Sequence, residues 1–175
     1  AAVQRAIDAL LAAARIEFYA GGNYAVVAQD AQYKFLRIGV PSAAYTEPRL
    51  QAMAAAALKP GDVVVAISGS GKMNELLKSV EAALAAGARV IALTPSHTPL
   101  ARRATDTVAI DHPEDVTTQI PMISRILYLV VIDILAVGVA MRRSAAGADG
   151  GRAPHADAEP AAATTDYTRL ISHSV

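Results

Sequence analysis

Asp62-Val63-Val64-Val65-Ala66-Ile67-Ser68-Gly69-Ser70-Gly71-Lys72-Met73-Asn74-Glu75-Leu76-Leu77 reads as a buried strand, a Gly/Ser loop and the first turn of a helix. The unbroken apolar run, with three valines, suits a strand covered on both faces. Ser68, Ser70 and the backbone N–H groups of Gly69, Gly71 and Lys72 then stand where strand gives way to helix. A helix N-terminus carries unpaired N–H donors and a partial positive charge. Small residues let a ligand approach that backbone, and an anion such as phosphate suits the place. Taken alone, the loop favours a tight turn whose serines cap the following helix, and it is the rest of the chain that points to a binding site.

Two nucleotide motifs are excluded. A P-loop needs Gly five residues before the Gly-Lys pair and Ser or Thr after it; Ala66 and Met73 stand there, and no hydroxyl is placed to hold magnesium. A dinucleotide fingerprint needs a third glycine where Asn74 stands, and an acidic residue closing the next strand where Leu93-Thr94 stand.

Composition sets the wider bounds. The 175 residues suffice for one domain with a proper core, and 53% of them are hydrophobic. The mean hydropathy of +0.31 fits a globular fold. Sixteen basic and sixteen acidic residues cancel, which argues against this segment holding nucleic acid by itself. With no cysteine, disulfides, thiol catalysis and Cys-based zinc sites are excluded. His97, His112, His155 and His173 lack ligand spacing, so neither a metal nor a cofactor is expected. The opening Ala1-Ala2-Val3-Gln4-Arg5 has no initiator Met and no signal-peptide pattern, which reads as a cytoplasmic fragment of a longer chain. The apolar stretch 126–141 has Asp133 near its centre and falls short of the ~20 residues a membrane span needs, so a helix buried in the core or a subunit interface is expected, and no membrane partner.

Outward from the opening stretch, periodicity predicts helices at 2–14, 24–37, 48–58, 74–86, 99–104 and 121–143. Strands are predicted at 15–20, 42–46, 62–67, 88–93 and 107–110. The 15–20 strand alternates apolar and polar residues, and the 121–143 helix is apolar nearly all round. Alternating strands and helices imply a three-layer α/β sandwich around a five-stranded parallel sheet. With strand order 2-1-3-4-5, strands 1 and 3 are neighbours at the point where the chain reverses, and a ligand crevice opens beyond their C-terminal ends. That order brings Gly21-Gly22-Asn23-Tyr24 beside Ser68-Gly69-Ser70-Gly71. The domain is expected to span 1–143. Residues 144–175, rich in Ala, Gly, Pro and Asp, read as a flexible tail.

Several stretches together resemble the SIS (sugar isomerase) domain. They are the strand-turn-helix at 18–29, Ser-x-Ser-Gly at 68–71, Gly87-Ala88-Arg89-Val90-Ile91-Ala92-Leu93-Thr94, and Pro99-Leu100-Ala101 followed by Ala104-Thr105-Asp106. More narrowly, the chain resembles the effector domain of RpiR-type bacterial regulators of the HexR-like kind. The residues that carry this are Ala28-Gln29-Asp30-Ala31-Gln32-Tyr33-Lys34-Phe35, Pro60-Gly61-Asp62-Val63-Val64-Val65-Ala66-Ile67-Ser68, and Asp133-Ile134-Leu135-Ala136-Val137-Gly138-Val139-Ala140. The resemblance covers about 1–143. It implies a sheet that binds a phosphosugar effector, with DNA bound only through a helix-turn-helix domain outside this fragment. Separately, the 121–143 helix has more apolar surface than one buried stripe requires, so a homodimer or homotetramer is expected. A similar module lies behind a glucokinase in some bacterial fusions.

The resemblance proposes Ser68, Gly69, Ser70, Gly71, Lys72, Met73, Gly22, Asn23, Tyr24 and Glu114 as ligand-binding residues, with no catalytic residue. The family's first loop reads Gly-x-Gly-x-Ser or Gly-x-Gly-Asn-Ser; here Ala20 replaces the first Gly and Tyr24 the Ser. Its second loop reads Ser-x-Ser-Gly-x-Thr; here Met73 replaces the Thr. Two pocket hydroxyls have thus become a phenol and a thioether, so the ligand differs from the usual one or the pocket has decayed. A sugar-phosphate isomerase would need a positioned base, for which His112, Glu114 and Asp115 are the candidates. A dimerisation module with a degenerate pocket is the third reading.

Overall fold

The computed structural model describes residues 1–112 and 122–149. Its helices are α1 (Ala2–Ala12), α2 (Ala25–Arg37), α3 (Pro48–Ala56), α4 (Asn74–Ala85), α5 (Pro99–Arg103) and α6 (Met122–Asp149). Its strands are β1 (Ile16–Tyr19), β2 (Ser42–Tyr45), β3 (Val63–Ile67), β4 (Arg89–Thr94) and β5 (Asp106–Ala109). The five strands form one sheet in the order β2-β1-β3-β4-β5, and every pairing is parallel. Order and element types agree with the periodicity.

Each sheet face is closed by its own helices. On one side Ile16, Phe18, Val63, Val65, Ile67, Ile91 and Leu93 pack against α1, α2 and α6. On the other, Tyr19, Val64, Ala66, Val90 and Ala92 meet Ala55 of α3, Leu76, Leu77, Val80 and Ala83 of α4, and Leu100 of α5. The two-residue side-chain period divides each strand between these cores. Covering both faces is what lets β3 be wholly apolar.

β1 departs from the alternating pattern read for it, because all four of its residues are buried. Glu17 is only 1% exposed. It accepts a 2.6 Å hydrogen bond from the Tyr19 hydroxyl and lies 3.2 Å from the Arg15 guanidinium. A buried carboxylate needs such partners. The acid on β1 therefore marks an internal polar contact on a covered strand.

α6 extends beyond the expected end at 143, running to Asp149. The added segment Ser144-Ala145-Ala146-Gly147-Ala148-Asp149 is half alanine, the strongest helix former, so the helix continues where loss of large apolar side chains suggested a tail. Residues 150–175 lie outside the described residues, as does most of the expected tail. By length and composition the 123–146 stretch could cross a membrane. Its inner face, Ser124, Tyr128, Ile132, Leu135, Ala136 and Val139, is nevertheless buried in the protein. Asp133 sits on the exposed side and pairs with Lys34 of α2, which also binds Asp30.

Candidate functional site

β1 and β3 are adjacent, yet the chain leaves them toward opposite edges of the sheet. Backbone must therefore part beyond their C-terminal ends, and a crevice results. A cleft of about 410 Å³ opens there, lined by Gly21, Gly22, Asn23, Tyr24, Ser68, Gly69, Ser70 and Met73. The fold brings the two Gly-rich loops together as strand order requires.

The first loop leaves β1 through Ala20 and Gly21 and coils into a single 3-10 turn at Gly22–Tyr24. The Tyr24 N–H closes that turn on the Gly21 carbonyl at 3.2 Å. Tyr24 then caps α2. The second loop begins with Ser68, whose N–H extends the sheet ladder to the Leu93 carbonyl at 3.0 Å. The Ser68 hydroxyl accepts from the Gly71 N–H at 3.0 Å, and the Ser70 hydroxyl from the Lys72 N–H at 3.3 Å. Both serines thus shape their own loop while keeping a hydroxyl proton to donate.

Gly71 is needed for two separate reasons. Its φ is +60°, and a Cβ built on it would stand 2.5 Å from both Cβ and Oγ1 of Thr98. Its carbonyl accepts from the Leu100 N–H at 3.1 Å, which ties the loop to the start of α5. Gly71 therefore supports the loop from behind. Lys72 is exposed and does not line the cleft. α4 starts directly after Met73, with no side chain capping its first turn. Its leading N–H groups thus lack intrahelical partners and face the cleft end of the helix.

Seven residues proposed from sequence surround the cleft: Gly22, Asn23, Tyr24, Ser68, Gly69, Ser70 and Met73. Gly21 joins them. Gly71 and Lys72 belong to the loop without lining the space. Glu114 and Asp115 lie outside the described residues; His112 is half-buried and does not line the cleft.

The two departures from the expected loop pattern reach across the cleft in opposite directions. Tyr24 of the first loop lies against Gly69 of the second, and the Met73 methyl of the second lies 3.1 Å from a Cβ built on Gly21 of the first. Behind Tyr24 stands a pair of residues on α6 that sequence reading did not single out. The Tyr24 hydroxyl shares a 3.1 Å hydrogen bond with Ser124. The Tyr24 and Tyr128 rings lie 4.8 Å apart at 59°. The buried Tyr128 hydroxyl donates to the Ser68 carbonyl at 3.3 Å. One signal was available: Ser124 and Tyr128 are polar residues one helical turn apart in the mostly apolar first half of α6.

The SIS domain family model matches residues 9–138. The chain is 57% identical over 147 residues to the bifunctional protein glk of Paraburkholderia xenovorans (strain LB400), covering 84% of this chain and 23% of that protein. It is 44% identical over 144 residues to the HTH-type transcriptional regulator HexR of Escherichia coli (strain K12), covering 82% of this chain and 50% of the regulator. The chain thus spans at most half the length of these two relatives. Among solved structures, the Vibrio vulnificus NanR protein complexed with ManNAc-6P superposes with a TM-score of 0.74 at 23% identity, over 87% of this chain and 62% of that one. At that identity the likeness speaks for the fold.

Proposed function

The chain belongs to the SIS domain family, and from that membership we propose that it is the effector-sensing and self-associating domain of a bacterial regulator of carbohydrate catabolism, taking a phosphorylated sugar or sugar acid. The observation that carries the reading is the convergence of two Gly-rich loops on the β1/β3 crevice, with an uncapped helix end beside them. Hydroxyls of Ser68 and Ser70, the Asn23 amide and backbone N–H groups are the donors an anionic, polyhydroxylated ligand requires. Among the described residues the lining is hydroxyl, amide, phenol, thioether and backbone. That chemistry supports holding a ligand more than abstracting a carbon-bound proton, which needs a positioned base.

The relatives support the regulatory setting. HexR is an HTH-type transcriptional regulator, and NanR, which shares the fold, was solved with ManNAc-6P. The higher identity to a bifunctional protein glk favours a specific parent, in which this domain is one part of a fused, longer protein. DNA binding then belongs to a segment outside this chain.

Calorimetry with hexose phosphates and keto-deoxy sugar-acid phosphates, paired with an isomerisation assay on the same compounds, tests the proposal. Saturable binding without turnover is expected. Turnover would establish an isomerase, and absence of binding by every compound would leave a structural module.

A further inference from the structure

We infer that Tyr24 makes this cleft selective for closed-ring phosphosugars over open-chain ones. The inference rests on the anion-and-sugar reading above and goes on to name the form of the sugar.

The cleft has a polar side and an apolar side. Ser68, Ser70 and the leading N–H groups of α4 form the polar side, where an anion is best placed. The half-exposed Tyr24 ring and the Met73 thioether supply the apolar surface. An open-chain sugar acid carries hydroxyls along its whole length, and each one loses a water partner on entering. Apolar walls return nothing for that loss. A closed sugar ring gathers its axial C–H groups into a compact apolar face, which an aromatic ring can cover while the hydroxyls stay at the rim. The ring form is also rigid, so less conformational freedom is lost on binding.

Tyr24 is held in place to act as such a wall. Its hydroxyl is shared with Ser124, its ring rests against Tyr128, and its tip is wedged against Gly69. Tyr128 is 1% exposed and is itself anchored to the Ser68 carbonyl. A phenol fixed from three sides is pre-organised and pays little rotamer entropy when a ligand covers it. Tyr128 is the positioning residue in this arrangement.

The test compares glucose 6-phosphate, which exists almost wholly as a closed ring, with glucitol 6-phosphate, its open-chain counterpart of equal carbon number and charge. Inorganic phosphate serves as the anion-only control. Calorimetry on the unsubstituted chain should show the ring compound bound about tenfold more tightly than the open one, or better. Tyr24→Ser should abolish that ratio, while Tyr24→Phe, which keeps the ring, should retain it. Equal affinity for the two sugars in the unsubstituted chain overturns the inference whatever the variants do. A ratio that survives Tyr24→Ser, or disappears in Tyr24→Phe, overturns it as well. If neither sugar nor phosphate gives saturable heat, the proposed function falls and the inference falls with it.

Discussion

A Cβ placed on Gly69 would stand 2.1 Å from the Tyr24 hydroxyl oxygen and 2.5 Å from the ring carbon that bears it. No real side chain tolerates that approach, so the residue at 24 dictates the residue at 69. Gly69→Ala should therefore destabilise the protein by about 1–3 kcal/mol through overpacking. Adding Tyr24→Ser should recover most of that loss, because the serine does not reach across the cleft. Denaturant melts of the two single variants and the double variant would give a clearly non-additive cycle if the contact is direct. Additive losses would mean that Gly69 is required for another reason.

The Glu17–Tyr19 contact carries a second expectation. Tyr19→Phe removes a 2.6 Å donor from a carboxylate that is 1% exposed. A hydrogen bond to a charged group is worth roughly 1.5–3 kcal/mol, and the loss should fall in that range. Burial, and then the hydrogen bond to Glu17, push the Tyr19 hydroxyl far above its ordinary 10.0. A raised folded-state pKa gives stability that is present below the ordinary value and declines as pH climbs past it. The gap between parent and Tyr19→Phe should accordingly narrow above pH 10.0, as read from melting temperatures across an alkaline series.

These two contacts also mark where the sequence is and is not legible. Val63 to Ile67, the Ser68–Gly71 loop and the strand order follow from a period and a chirality, which are local and general. That Ser68 and Gly22 share a cleft follows in turn, since topology alone places them there. The partners of Glu17 do not follow, because an acid in an alternating strand looks the same whether it faces water or a tyrosine two residues on. The α6 contributions were equally hidden: Ser124 and Tyr128 meet Tyr24 across about a hundred positions of chain, and no local pattern encodes that meeting. Gly71 was legible as part of the loop, but its role behind the cleft depends on Thr98, which periodicity does not place.

At the opposite end of the sheet, Asp106 accepts a 3.0 Å hydrogen bond from Arg5 of α1 and a 2.6 Å bond from Arg89 of β4. Burial raises this carboxyl, but the hydrogen bonds from Arg89 and Arg5 outweigh it, so the net shift is below the ordinary 3.8. A depressed folded-state pKa gives stability that is present above the ordinary value and lost as pH falls through the folded one. Asp106→Asn should cost about 1–2 kcal/mol at neutral pH, since both guanidiniums are half exposed and partly screened. The difference between parent and variant should shrink below pH 3.8. A difference independent of pH would show that packing, not charge, carries the contact.

The outer face of α6 presents Ile123, Ile126, Val130, Ile134, Val137 and Met141, each roughly half exposed or more, at spacings of three and four. This continuous stripe is wider than the isolated apolar residues a monomer leaves in water. We expect a second copy to cover it through a two-fold contact, with Val130 and Ile134 near the centre. Ile134→Arg should convert a dimer to a monomer at about 50 µM while leaving the melting profile of the fold recognisable. Sedimentation showing the parent already monomeric at that concentration would remove the basis for the contact.

The last expectation separates the loop's donors from its charge. Ser70 lines the cleft and orders the turn through the Lys72 N–H, whereas the Lys72 side chain is exposed and stands outside the lining. An anion in the cleft should therefore depend on the Ser70 hydroxyl and the α4 N–H groups far more than on the lysine. Ser70→Ala should weaken binding of a phosphosugar by about tenfold or more, the effect of one charge-assisted hydrogen bond. Lys72→Ala should weaken it by only a few-fold, and that small effect should vanish in about 0.5 M salt, which screens an exposed charge but not a short contact. Calorimetry of both variants at low and high salt reads the two contributions apart. A large, salt-sensitive loss on Lys72→Ala with little change on Ser70→Ala would reverse the assignment and move the anion out of the cleft toward the exposed side of the loop.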